Sequence, residues 1–183
     1  AYSTQLRSAS RYSRSPGQRS GSGRGRPRLG TLCGVVLRQM RAAGGRGSLR
    51  SRVVAVLLVT WEVGACLCVP TQAEKALPGR YVTDSGLTIW FSVPSTAVLM
   101  SRLRLLKPGK YPGLRLSLFC GEALPIEIIE KWAEAAPNSI LENLYGPTEL
   151  TIACTLYRWD RARSVTESEL GVVPIGEPYP GMK

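Results

Sequence analysis

Leu114-Arg115-Leu116-Ser117-Leu118-Phe119-Cys120 is an apolar run broken by Gly121-Glu122, and it reads as a buried strand ending in a tight turn. Upstream, Leu87-Thr88-Ile89-Trp90-Phe91-Ser92-Val93 is a second β-branched and aromatic run, stopped by Pro94. Between them, Ser95 to Leu106 places Val98, Leu99, Leu103 and Leu106 at helical spacing, with Lys107-Pro108-Gly109 as a stop signal. Downstream, Pro125 suits a helix's first turn; Ile128, Ile129 and Trp132 fall on one face, and Pro137 lies beyond the end. Ile140 to Leu144 is a third strand, and Leu150 to Tyr157 a fourth extended stretch. Strand, helix, strand, helix, strand with short links implies an α/β fold, a mostly parallel sheet with flanking helices. Ligands of such sheets bind beyond the carboxyl ends of the strands, so the turns at Cys120-Gly121-Glu122 and Tyr145-Gly146-Pro147-Thr148-Glu149 are nominated as one shared site.

Tyr145 to Glu149 combine an aromatic face, a backbone bend, a hydroxyl and a carboxylate in five residues. A nucleotide uses such a set: a ring to stack on a base, a glycine to permit close approach, a hydroxyl for a phosphate oxygen and a carboxylate for Mg²⁺. Residue types alone favour a plain turn with a surface Glu over that reading.

The full strings say more. Asn143-Leu144-Tyr145-Gly146-Pro147-Thr148-Glu149 resembles the N-x-Y-G-P-T-E motif of adenylate-forming enzymes, the AMP-dependent synthetase and ligase superfamily. Leu118-Phe119-Cys120-Gly121-Glu122-Ala123-Leu124-Pro125 resembles that family's preceding G-E-A-L-P segment. Pro174-Ile175-Gly176 with Pro178-Tyr179-Pro180-Gly181 is similar to its I-G-x-P-x-P-G stretch. The three segments stand in the family's order over about residues 79 to 183. Pro147 points toward the amino-acid-activating members, adenylation domains of non-ribosomal peptide synthetases and D-alanine–carrier-protein ligases.

The resemblance implies a fragment of the family's large N-terminal subdomain, a partial adenylation domain that activates a carboxylate, an amino acid, with ATP and Mg²⁺. In that reading Tyr145 stacks on adenine, with Gly146 in the bend, while Asn143 and the backbone around Gly121 and Glu122 meet the base edge. Thr148 meets the α-phosphate, and Glu149 binds Mg²⁺; these two are the catalytic candidates. The acid pocket maps to Leu118, Cys120, Leu144, Ile152 and Ala153, with Ser92 a further member. Their small or apolar side chains suit an uncharged group. The acyl-adenylate is then handed to a thiol, the phosphopantetheine of a carrier protein or domain. No Ser/Thr/Gly-rich loop ending in Pro-Lys-Gly, no downstream ribose-binding Asp and no C-terminal subdomain with its lysine are found in the sequence. The chain alone is therefore expected to hold the adenine and Mg²⁺ contacts without turning over.

The chain carries a net charge of +11, unevenly spread. Its first 61 residues hold twelve Arg and no Lys, Asp or Glu, so the basic character belongs to that segment. An Arg-rich arm is the feature through which a nucleic-acid-binding protein would act, and Arg24-Gly25-Arg26-Pro27 resembles an AT-hook core, although chance supplies such matches in Arg/Gly-rich sequence. The family reading requires neither nucleic acid nor membrane. Residues 1–78 are expected to form a basic Arg/Gly/Ser-rich extension, disordered or non-native, with an apolar run at 53–69 too short and interrupted to span a bilayer. Residues 79–183 are expected to form the partial AMP-binding domain. The absence of His excludes Ser-His-Asp and Cys-His catalysis and mixed Cys/His zinc sites. Five cysteines without a paired spacing fit a reduced, cytoplasmic protein.

Overall fold

A computed structural model describes residues 31–33, 65–147 and 153–180. Its strands are β1 (Thr31–Cys33), β2 (Cys66–Cys68), β3 (Ile89–Ser92), β4 (Leu116–Cys120), β5 (Ile140–Tyr145), β6 (Thr155–Arg158) and β7 (Glu177–Pro178). Its helices are α1 (Gln72–Ala76), α2 (Pro78–Asp84), α3 (Pro94–Arg102), α4 (Ile126–Ala135) and α5 (Arg161–Glu167). One sheet joins the strands in the order β2-β1-β3-β4-β5-β6-β7. From β2 through β5 the pairings are parallel, and β6 and β7 add to that edge antiparallel.

Every residue of β3 and β4 is buried, as befits central parallel strands covered on both faces. Successive side chains alternate between faces. Trp90, Ser117, Phe119, Leu141 and Asn143 lie on the α4 side, whereas Phe91, Leu118, Cys120, Glu142 and Leu144 lie on the other. Trp132 of α4 organises the first face. Its ring lies 5.4 Å from that of Trp90, 6.1 Å from Tyr111 and 5.2 Å, edge-on, from Phe119. Its Nε1 donates to Ser117 Oγ at 2.9 Å. Aromatic pairs of this kind contribute about 0.5–1.5 kcal/mol each beyond area burial.

Helix α4 forms where expected. Pro125 takes an extended conformation at the N-cap, Ile128, Ile129, Trp132 and Ala135 make the buried stripe, and the chain leaves the helix at Ala136, before Pro137. Helix α3 differs from the sequence reading. It begins at Pro94 and ends at Arg102, and its buried positions are Pro94, Thr96, Ala97 and Met100. Leu99 and Leu103, which stand at helical spacing in the sequence, are exposed. Small and flexible side chains fit closely against the sheet here, and Arg104, at φ 57°, turns the chain out of helical geometry.

Described elements also lie upstream of the expected boundary at 79. Thr71 and Glu74 form a reciprocal capping box that starts α1, and β2 lies inside the stretch assigned to the extension. The upper part of the 53–69 run and the Arg24–Pro27 tetrapeptide lie outside the described residues. Among the described residues, no helix is long and apolar enough to cross a membrane.

Candidate active site

Strands β3, β4 and β5 run in the same direction, so their carboxyl ends meet along one edge of the sheet. Phe119 pairs with Asn143 and Cys120 with Leu144. The next same-face positions, Gly121 and Tyr145, therefore stand side by side, and the two nominated turns lie together at that edge. Gly121 has φ +100°, a conformation that L side chains rarely adopt. The neighbouring Tyr145 is 47% exposed.

Asn143 lies one pleat below Tyr145 and is 2% exposed. Its Nδ2 donates to Pro174 O at 2.9 Å and to Val173 O at 3.3 Å. Two carbonyl partners fix which end of the amide is which, since carbonyls only accept. Among the described residues Oδ1 is then left buried without a partner, a costly state unless a donor arrives. The Val173 N–H in turn donates to Leu124 O at 2.9 Å, and Ile126 N to Gly171 O at 3.0 Å. The strap through residues 171–176 thus ties the Gly121–Pro125 turn to β5, and the three motif segments converge on one place. Sequence reading gave Asn143 a role at the base edge only; half of its amide is spent on the strap.

The Glu122 carboxylate has a role that sequence reading missed. It accepts from Ser95 N at 2.8 Å and pairs with Ser95 Oγ at 3.1 Å. Helix α3 has no side-chain cap of its own, so Glu122 supplies that cap from the next turn and favourably meets the positive end of the helix. The side chain locks two adjacent turns together.

The pocket candidates divide from the nucleotide candidates by sheet face. Leu118, Cys120 and Leu144 are buried on the face away from α4, and Ala153 is buried beside β6. Ser92 belongs to the opposite face, where its Oγ accepts from Trp90 Nε1 at 2.8 Å and donates to Val93 O at 3.1 Å. Gly146 follows Tyr145, whose carbonyl accepts from Cys154 N at 2.7 Å and so anchors the end of β5. Thr148, Glu149 and Ile152 lie outside the described residues.

A shared edge of parallel strand ends, a glycine bend beside an open ring and an orphaned acceptor beneath them are features of a nucleotide site. The family model of the AMP-binding enzymes matches residues 51–183. The chain belongs to that family. Over 72 residues it is 39% identical to a D-alanine–D-alanyl carrier protein ligase of Bacillus cereus, covering 39% of this chain and 14% of the ligase. It is 30% identical over 100 residues to the nonribosomal peptide synthetase ivoA of Emericella nidulans, covering 55% of this chain and 5% of the synthetase. The Vibrio cholerae adenylation domain AlmE, solved in complex with glycyl-adenosine-5'-phosphate, superposes with a TM-score of 0.59 at 37% identity, covering 68% of this chain and 23% of that one. The chain therefore spans a small part of each relative's length, and the matched part includes residues upstream of 79.

Proposed function

We propose that this chain carries the adenine-binding edge of an adenylating site, in which an amino acid's carboxylate attacks the α-phosphate of ATP to give an aminoacyl-adenylate and pyrophosphate. The observation that carries the reading is the juxtaposition of Gly121 with the open Tyr145 ring above the orphaned Asn143 Oδ1. Adenine fits this arrangement chemically. Its face stacks on Tyr145, its edge approaches the backbone at Gly121, and its exocyclic amine supplies the donor that Asn143 Oδ1 lacks.

Thr148 and Glu149 come next in sequence after Tyr145-Gly146-Pro147, so their hydroxyl and carboxylate are proposed for the α-phosphate and for Mg²⁺. One protein carboxylate completed by phosphate oxygens and water is a common way to hold Mg²⁺, and the ion would neutralise charge on the phosphates. The residues of this chain act mainly by positioning: Asn143 and Tyr145 fix the base, and the Glu122–Ser95 bond holds the bend that receives it. Leu118, Cys120, Leu144, Ile152 and Ala153 are proposed to receive the amino acid on the other face. That the Bacillus cereus relative is a D-alanine–D-alanyl carrier protein ligase supports a carrier-protein thiol as the acceptor.

Isothermal titration of the full chain with AMP and ATP tests the proposal. Binding by the parent chain, lost in Tyr145→Ala and in Asn143→Leu while the fold is retained by circular dichroism, supports it. Undiminished binding in both variants would show that adenine is held elsewhere.

A further inference from the structure

Beyond the pocket side chains already named, one buried group on the same sheet face has no assigned use. Glu177 pairs with Leu156 and Pro178 with Thr155, so Tyr179 follows opposite Cys154, to whose carbonyl its N–H donates at 2.9 Å. Counting faces across β5, β6 and β7 puts Tyr179 on the face of Glu142, Leu144 and Cys154. This is the face that carries Leu118 and Cys120. Tyr179 is buried, and its hydroxyl has no hydrogen-bond partner among the described residues. Burial, and after it the negative charge of Glu142 and the nearness of Cys120 and Cys154, push the phenol well above the usual tyrosine range, so it stays protonated at neutral pH.

Glu142 is itself buried, and its Oε1 accepts from Arg158 Nη2 at 2.8 Å and Nε at 3.1 Å. Most of the Arg158 side chain is exposed. The pair thus puts its anionic end inside, toward the Tyr179 side of the sheet, and its cationic end outside. A largely apolar sheet face with one neutral oxygen and a nearby carboxylate favours a compact cation over an anion.

Resting on the adenylation reading above, we infer that Tyr179 is a substrate-contact residue: its phenol oxygen accepts a hydrogen bond from the ammonium group of a short amino acid lodged against Leu144 and Cys120, with Glu142 supplying the negative potential. The assignment makes Tyr179 a determinant of amino-acid over fatty-acid substrates. Closure from bulk water makes such a bond count for more than it would at the surface.

Two non-hydrolysable adenylate mimics of equal size separate this inference from the nucleotide reading. Glycyl-sulfamoyl adenosine carries the ammonium; propionyl-sulfamoyl adenosine has a methyl in its place. The full chain is expected to bind the glycyl compound about tenfold more tightly, the factor one hydrogen bond to a charged group supplies. Tyr179→Phe is expected to abolish that preference while leaving AMP affinity unchanged and the melting temperature unchanged or raised, since it deletes a hydroxyl without a partner. A parent chain indifferent to the two mimics, a preference that persists in Tyr179→Phe, or a marked loss of thermal stability in that variant each overturns the inference. Failure of AMP itself to bind would instead overturn the reading on which it rests.

Discussion

Replacing Gly176 by alanine should be the most damaging single-methyl change in the strap, and its size follows from the contacts. A Cβ at Gly176 would overlap the Leu156 carbonyl carbon and oxygen and lie 2.6 Å from Tyr157 N. All three are backbone atoms of β6 and cannot swing aside. The strap must then move off β6, giving up the Thr155 Oγ1 bond to Ile175 O at 2.6 Å and the Tyr179 N bond to Cys154 O at 2.9 Å. At about 0.5–1.5 kcal/mol per bond, with about 1–2 kcal/mol for a side chain at positive φ, the loss comes to roughly 2–5 kcal/mol. Gly171 provides the control. It too has positive φ, at 72°, but a Cβ there meets nothing within 4 Å. Gly171→Ala should therefore show only the conformational part, about 1–2 kcal/mol. Urea unfolding followed by far-UV circular dichroism measures both. The reasoning is refuted if Gly176→Ala is no less stable than Gly171→Ala.

Other consequences can be checked on the same footing. Glu122→Ala should destabilise the chain by about 0.5–2 kcal/mol, the usual effect of losing a helix cap, and should weaken AMP binding through the Gly121 bend; Glu122→Gln, which keeps an acceptor, should recover part of both in calorimetry. Trp132→Ala removes the centre of the aromatic cluster and should cost about 3–5 kcal/mol, seen as a shift in the urea midpoint. Burial pushes the Tyr111 hydroxyl up to about 12, against about 10 in an unfolded chain, and it donates to Leu105 O at 2.8 Å. The folded state holds this proton longer, so its share of stability is complete below pH 10 and is lost as pH rises toward 12. Tyr111→Phe should flatten that alkaline decline, as read from melting temperatures between pH 9 and 12.

The central strands and α4 were legible in the sequence because each is an apolar run with its own Pro or Gly stop, and burial on both faces needs no periodicity to be recognised. The capping box at Thr71–Glu74 was equally legible but lay inside a stretch read by its composition, so α1 and β2 were assigned to the extension. Helix α3 was legible from its spacing, but its end and its buried face were not: it stops at Arg102, short of Leu106, and close approach to the sheet buries Ala97 and Met100 while Leu99 and Leu103 are exposed. At the site, the motif strings located Gly121 and Tyr145, but the split use of Asn143, the Glu122 cap and the lone Tyr179 hydroxyl depend on which residues from distant segments meet. Strand register decides that, and no single segment contains it.

Diffraction from crystals of this chain grown with AMP addresses the central claim most directly. The account predicts adenine density stacked on the Tyr145 ring beside Gly121, with the exocyclic amine within hydrogen-bond distance of Asn143 Oδ1. Adenine lying anywhere else, or Asn143 Oδ1 still without a donor beneath a bound base, would contradict it.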